Sequence, residues 1–113
     1  MPIPLADTAY VPQEKLIEYL LNEHHPVGGA KAKWFLSLGY EPGSPSVLEQ
    51  DLLKLVQTSD QHAAKTSPFG TKYVVVGSMS APNGQEVNVI TVWIVEPSDH
   101  RPRLVTAYPG DKP

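Results

Sequence analysis

Apolar positions in the first half of the chain recur at helical spacing, and from Lys72 onward they alternate. Pro12 suits a first helical turn, with Leu16 and Leu20 lining one face and Ile17 and Leu21 beside them. Tyr19 lies to the side, and this helix should end near Glu23. A second helix is expected from about Gly28 to Leu38, with Ala30, Trp34 and Leu38 as its apolar stripe, Phe35 beside it and Gly39 closing it. EPGSPS reads as a loop, and Ser46 with Glu49 has capping-box spacing. The third helix should run to about Thr58 with Leu48, Leu52, Leu55 and Val56 inward. SDQHAAKTSPFGT then leads out as a polar, broken stretch.

Strands are expected over Lys72 to Met79, Gln85 to Val95 and Arg103 to Tyr108. Asn83-Gly84 is a strong hairpin signal between the first two. Met1 to Leu5, with prolines at 2 and 4, should be extended, as an arm on the sheet edge. Helices before strands predict an α+β domain: three N-terminal helices packed on one face of a C-terminal antiparallel meander sheet of three to four strands. Val74, Val76, Ile90, Val92, Ile94, Val105 and Ala107 form an aliphatic set that should face the helices. The opposite set contains Tyr73, Val75, Val89, Thr91, Trp93, Val95, Leu104, Thr106 and Tyr108. It mixes hydroxyls with aromatics, as an open surface would, although a register slip would exchange the two faces. Trp93 serves equally well as packing beneath the N-terminal arm.

Length changes little: 113 residues suit one domain spanning 1–113 with a single core. The chain has no cysteine, which removes disulfides and thiolate metal sites. No apolar run approaches bilayer length, and MPIPLADTAYVP lacks a signal peptide's basic start and long apolar centre, so a soluble cytoplasmic protein without membrane contact is expected. A net charge of −3 and a pI near 5.7 argue against a broad nucleic-acid-coating surface. They leave room for a nuclease with a local basic site, because positioned groups matter more to catalysis than total charge.

The chemistry concentrates in HHPVGGAKAKWFLSLGY, residues 24 to 40. Pro26 biases His25 away from helical geometry, and two glycines permit a close backbone approach. Lys31 lies outside the apolar stripe near a helix start that favours anions. Histidine pairs in loops are usually solvated and lysines at a helix start usually form a polar face, so the stretch nominates a site without establishing one. Metal binding is not expected, since His24 and His25 are adjacent and His62 and His100 fit no ligand spacing. No G-x-S-x-G, G-x-x-x-x-G-K or G-x-G-x-x-G occurs, and no cofactor is implied.

Acid–base chemistry on a phosphodiester remains. RNA carries its own nucleophile in the 2′-OH. An enzyme need only move protons, for which His25 suits, and neutralise phosphorane charge, for which Lys31 suits. Thr106 and Tyr108 complete the candidate catalytic set, while Lys33, Thr91, Trp93 and Tyr73 are candidates for substrate binding through hydroxyls, charge and stacking. His25 is preferred to His24, which can simply end the first helix.

HPVGGAKAKWFLSLGY, TSPFGTKYVVVGSMSAPNG and VITVWIVEPSDHRPRLVTAYP together resemble a small bacterial domain family of unknown function, over most of Lys15 to Pro109. That family in turn resembles the barnase–EndoU–colicin–RelE ribonucleases of toxin–antitoxin pairs and polymorphic toxins. The resemblance implies N-terminal helices against a curved antiparallel sheet. TAYP is similar to the end of EndoU-like toxin domains, where a hydroxyl and an aromatic border the active site. Its matching positions here are His25, Lys31, Thr91, Trp93, Thr106 and Tyr108. The chain departs from the pattern in its acidity and in having only Arg101 and Arg103 as arginines.

Two readings follow. The first is a toxin-like, metal-independent ribonuclease acting on RNA by 2′-OH attack, with a small antitoxin or immunity protein covering the aromatic face. The second is a non-catalytic protein-binding module, antitoxin- or immunity-like or phage-associated, which the acidic pI favours. A purely structural subunit is a third.

Overall fold

Leucine spacing translates directly into the longest helix. A computed structural model describes residues 1–26 and 29–110. In it α3 (Pro45–Thr58) buries Leu48, Leu52, Leu55 and Val56. Its start differs from the capping-box expectation. Pro45 occupies the first turn, and Ser44 stands at the cap without a side-chain hydrogen bond. Proline fits there because its fixed φ is already helical and its missing N–H would be unpaired anyway.

Earlier in the chain, α1 (Gln13–Lys15) runs directly into a π-helical turn (Leu16–Leu20). Leu16, Leu20 and Leu21 are buried, but Ile17 is 48% exposed, so the inward face is narrower than the sequence pattern suggests. The Leu21 N–H donates to the Leu16 carbonyl at 2.9 Å, closing the wider turn. Such turns are uncommon and recur at functional sites. This one contains Tyr19.

α2 (Gly29–Ser37) ends as expected, with Gly39 at φ 101° and the Tyr40 N–H donating back to the Phe35 carbonyl at 3.3 Å. Gly28, the expected first residue, lies outside the described residues. The buried face is Ala32, Phe35 and Leu38, whereas Ala30 is exposed and Trp34 only part-buried. Aromatic packing explains this rotation. Phe35 has no exposed surface and lies edge-on to both Trp34 (4.9 Å) and the buried Tyr40 (6.2 Å). The rotation leaves Lys31 half-buried and turned toward the rest of the fold.

The antiparallel sheet has order β1-β2-β3-β4, with β1 (Gln61–Ser67), β2 (Gly70–Ser80), β3 (Glu86–Glu96) and β4 (Asp99–Pro109). With helices first and a meander sheet after, this is an α+β fold. β1 occupies the stretch expected to be a loop. All seven of its residues are exposed, so no buried alternation marks it in the sequence. It exists by pairing with β2 across a two-residue turn at Pro68-Phe69, where Gly70 takes φ 129°. The chain before α1 also joins the sheet. Tyr10, rather than Met1 to Leu5, bridges Arg103 on the outer edge of β4.

Over β2, β3 and Leu104 the sheet faces are exchanged relative to the sequence expectation, whereas Ala107 faces the core and Thr106 and Tyr108 the open side as expected. Val75, Val89, Thr91, Trp93 and Leu104 pack into the core beneath the helices, each with no exposed surface. Thr91 is tolerated there because its hydroxyl is satisfied. It accepts from Trp93 Nε1 and donates to the Val75 carbonyl, both at 2.8 Å. Val74, Val76, Ile90 and Ile94 lie on the open face, part-exposed and outside the core cluster. Gly77 allows close contact beneath α3, since a Cβ there would meet Leu55 at 2.8 Å.

One irregularity positions the site. Trp93 pairs with Leu104 and Val92 with Thr106, leaving Val105 as an extra residue in β4. This bulge shifts the alternation by one. Leu104 and Ala107 stay on the core side, while Thr106 and Tyr108 share the open face with their partners Val92 and Ile90.

Candidate functional site

Lys31 is the centre of the site. Its Nζ donates to the Tyr19 hydroxyl at 3.0 Å and to Thr106 Oγ1 at 3.3 Å. The same ammonium lies 5.5 Å from the ring centroids of both Tyr19 and Tyr108. His25 packs edge-on to Tyr19 with ring centroids 5.1 Å apart. α2 supplies the cation, the π turn the phenol, the bulged strand the hydroxyl and second aromatic, and the turn before α2 the imidazole.

Gly29, at the start of α2, lies close to the backbone of Glu23 and His25. The Gly29 N–H donates to the His25 carbonyl at 3.0 Å, and a Cβ on Gly29 would stand 2.5 Å from the Glu23 carbonyl oxygen. The glycine thus serves a close contact between backbones. Of the histidine pair, His25 lies against the site, whereas the His24 side chain is 87% exposed and 3.9 Å from Glu23.

Tyr19 has a displaced titration. The hydrogen bond from Lys31 holds its phenol below the ordinary value of 10.0, aided by Thr106 and by the charges of Lys31 and Lys15, against partial burial. Lys15 Nζ lies 5.0 Å from the centroid of the Tyr19 ring. Sequence reading missed both residues. Their signal was the Lys15–Tyr19 spacing of one helical turn on the flank of α1, where cation and ring become neighbours.

His25, Lys31, Thr106 and Tyr108, chosen from the sequence as a catalytic set, thus come together: Thr106 and Tyr108 lie against Lys31, and His25 against the Tyr19 that Lys31 holds. The expected substrate-binding set does not. Thr91 and Trp93 have no exposed surface, Tyr73 packs part-buried against the core, and Lys33 is exposed on α2. Those aromatics and hydroxyls belong to the packed face, for the reason given by the Thr91–Trp93 hydrogen bonds.

A groove of about 540 Å³ adjoins the cluster, with Tyr10, Lys15, Tyr19, His25 and Arg103 among its walls. Arg103 pairs with Glu96 at 3.0 Å. Among the described residues, no three His, Asp or Glu side chains converge as metal ligands, and no helix is long and apolar enough to cross a membrane. Chemically, the arrangement offers a fixed cation between two hydroxyls, with an imidazole against the phenol. Such a group can receive a tetrahedral oxyanion and exchange protons with it.

A small α+β domain with a cation–hydroxyl cluster on the bulged edge of its sheet is thereby defined. Residues 3–111 match the model described as Domain of unknown function (DUF6883), and the chain belongs to that family. It shares its fold with a chain of the contact-dependent growth inhibition toxin–immunity protein complex from Klebsiella pneumoniae 342. The two align over 96% of this chain and 98% of that one, with a TM-score of 0.72 and 15% identity. Comparison with curated proteins finds no match.

Proposed function

We propose that this protein is a toxin-like ribonuclease that cleaves RNA without a metal, by attack of a 2′-OH on the adjacent phosphorus. The observation that carries this reading is the Lys31 ammonium held between the Tyr19 and Thr106 hydroxyls, beside Tyr108. A phosphate oxygen replacing one hydroxyl at Lys31 meets a cation in a part-buried site, where charge stabilisation is stronger than in water. Thr106 and Tyr108 orient the phosphate, and His25 moves a proton. As the 2′-oxygen bonds to phosphorus and its proton leaves, the P–O5′ bond breaks and the 5′-oxygen is protonated. The products are a 2′,3′-cyclic phosphate and a 5′-hydroxyl. The shared fold with a chain of a toxin–immunity complex supports a toxin-related or immunity-like role, and the Lys31 cluster is what favours the ribonuclease within it.

Its partner is a small antitoxin or immunity protein. The open sheet face suits such a partner, because Val74, Val76, Ile90 and Ile94 form a part-exposed aliphatic centre continuous with Thr106 and Tyr108. Lys65 and Lys72, directly opposed across β1 and β2, would pair with its carboxylates. The net charge of −3 favours a second reading, a non-catalytic module of the immunity or antitoxin kind that uses this same face.

Inducing the wild type and the His25→Ala and Lys31→Met variants in bacteria separates the two. Growth arrest with fragmented total RNA, relieved by either substitution at equal soluble expression, supports the ribonuclease. Normal growth and intact RNA with folded wild-type protein rejects it in favour of the binding module.

A further inference from the structure

The groove beside the Tyr19–Lys31 cluster has features that cleavage at Lys31 alone does not require. Its volume of about 540 Å³ falls within the roughly 300–1,000 Å³ typical of small-ligand sites. Two tyrosine rings, Tyr10 and Tyr19, contribute to its walls, and the Arg101 guanidinium lies 4.3 Å from the Tyr10 ring centroid. Lys15 and Arg103 add positive charge, while Glu14 and Glu18 add two carboxylates one helical turn apart. Like charges at that spacing weaken a helix, so their presence here runs against local stability. Tyr19 belongs to both the groove and the Lys31 cluster, which makes the two contiguous.

We infer that this groove is a nucleotide subsite, which takes the base and sugar of an RNA residue whose phosphate lies at Lys31 and which selects an amino-bearing base. The tyrosines supply stacking surface, which is tolerant of base identity. The carboxylates supply the selection, because they accept from an exocyclic amino group such as that of cytosine and find no donor at the equivalent carbonyl of uracil. The inference rests on the reading of Lys31 as the phosphate-contacting group.

The test is an NMR titration of the full chain with cytidine 3′-monophosphate, uridine 3′-monophosphate and inorganic phosphate. The expected result is binding of the cytidine nucleotide about tenfold tighter than phosphate, with shifts at Tyr10, Lys15, Tyr19 and Arg103. Its advantage over the uridine nucleotide should vanish in the Glu14→Gln/Glu18→Gln variant, whose substitutions are at exposed positions of α1 and the π turn. A nucleotide that binds no tighter than phosphate, or shifts residues elsewhere, overturns the subsite. Equal response to the two nucleotides overturns the base selection. Nucleotide binding in the groove by a protein that leaves RNA intact would remove the ribonuclease reading and keep the subsite. RNA cleavage without shifts in the groove would do the reverse.

Discussion

Replacing Thr91 by valine tests the exchanged sheet faces at their most diagnostic point. The two side chains are nearly the same shape, so the change removes a hydroxyl and leaves packing otherwise intact. That hydroxyl accepts from Trp93 Nε1 and donates to the Val75 carbonyl, both at 2.8 Å, with neither Thr91 nor Trp93 exposed. A buried indole N–H left without a partner costs about 1–3 kcal/mol, and the lost bond to the carbonyl about 1 kcal/mol more. The methyl that replaces the hydroxyl returns about 0.8 kcal/mol of apolar burial. The net expectation is destabilisation by about 2 kcal/mol. Scaling the unfolding entropy per residue to 113 residues converts this to a fall in Tm of about 8 °C. Thermal and urea unfolding measure it. Adding Trp93→Phe should cost about 1 kcal/mol less than additivity requires, because the orphaned donor is removed with it. A Thr91→Val protein within about 0.5 kcal/mol of wild type would refute the assignment.

Tyrosine titration, followed by phenolate absorbance, should find Tyr19 ionising below its ordinary 10.0, with Lys31→Met moving it back upward. Because its folded value is depressed, the stability it contributes grows as pH rises through that value and is lost as pH falls through it. A Tyr19→Phe variant should lack that rise; an unchanged profile refutes the Lys31–Tyr19 bond. Tyr40 should behave oppositely. Burial first, and then the Asp51 carboxylate that its hydroxyl meets at 2.6 Å, push its titration far above 10.0. The folded state therefore holds the proton longer, and stability should fall as pH rises past 10, an alkaline loss that Tyr40→Phe abolishes. Gly29→Ala should destabilise by about 1–3 kcal/mol despite alanine's better helix propensity, since its Cβ would meet the Glu23 carbonyl at 2.5 Å. Urea unfolding checks this, and a neutral or stabilising result would mean that the turn holding His25 is not fixed by that contact.

What the sequence revealed, and what it concealed, follows from which interactions are local. The α3 leucines, the Gly39 stop and the Asn83-Gly84 turn are legible because spacing or backbone conformation at a few neighbouring residues decides them. β1 is illegible for the opposite reason. Its residues are exposed on both faces, and only the edge of β2, across a turn at Pro68-Phe69, makes it a strand. The faces of β2 and β3 are illegible from aliphatic character alone. The core instead uses the larger Trp93 and Leu104 and satisfies Thr91 with hydrogen bonds that composition cannot reveal. A face exchange alone, however, would have carried Thr106 and Tyr108 inward with Leu104. Strict alternation puts all three on one side, and Val105 breaks it. The extra residue sends Leu104 to the core and turns Thr106 and Tyr108 toward Lys31, whose own aim depends on α2 rotating about Phe35. The four residues picked from the sequence therefore meet through two departures from regular patterning. Both departures leave polar groups at one sheet edge while large apolar groups pack, and that separation lets a small acidic domain keep a cation between hydroxyls in a part-buried position.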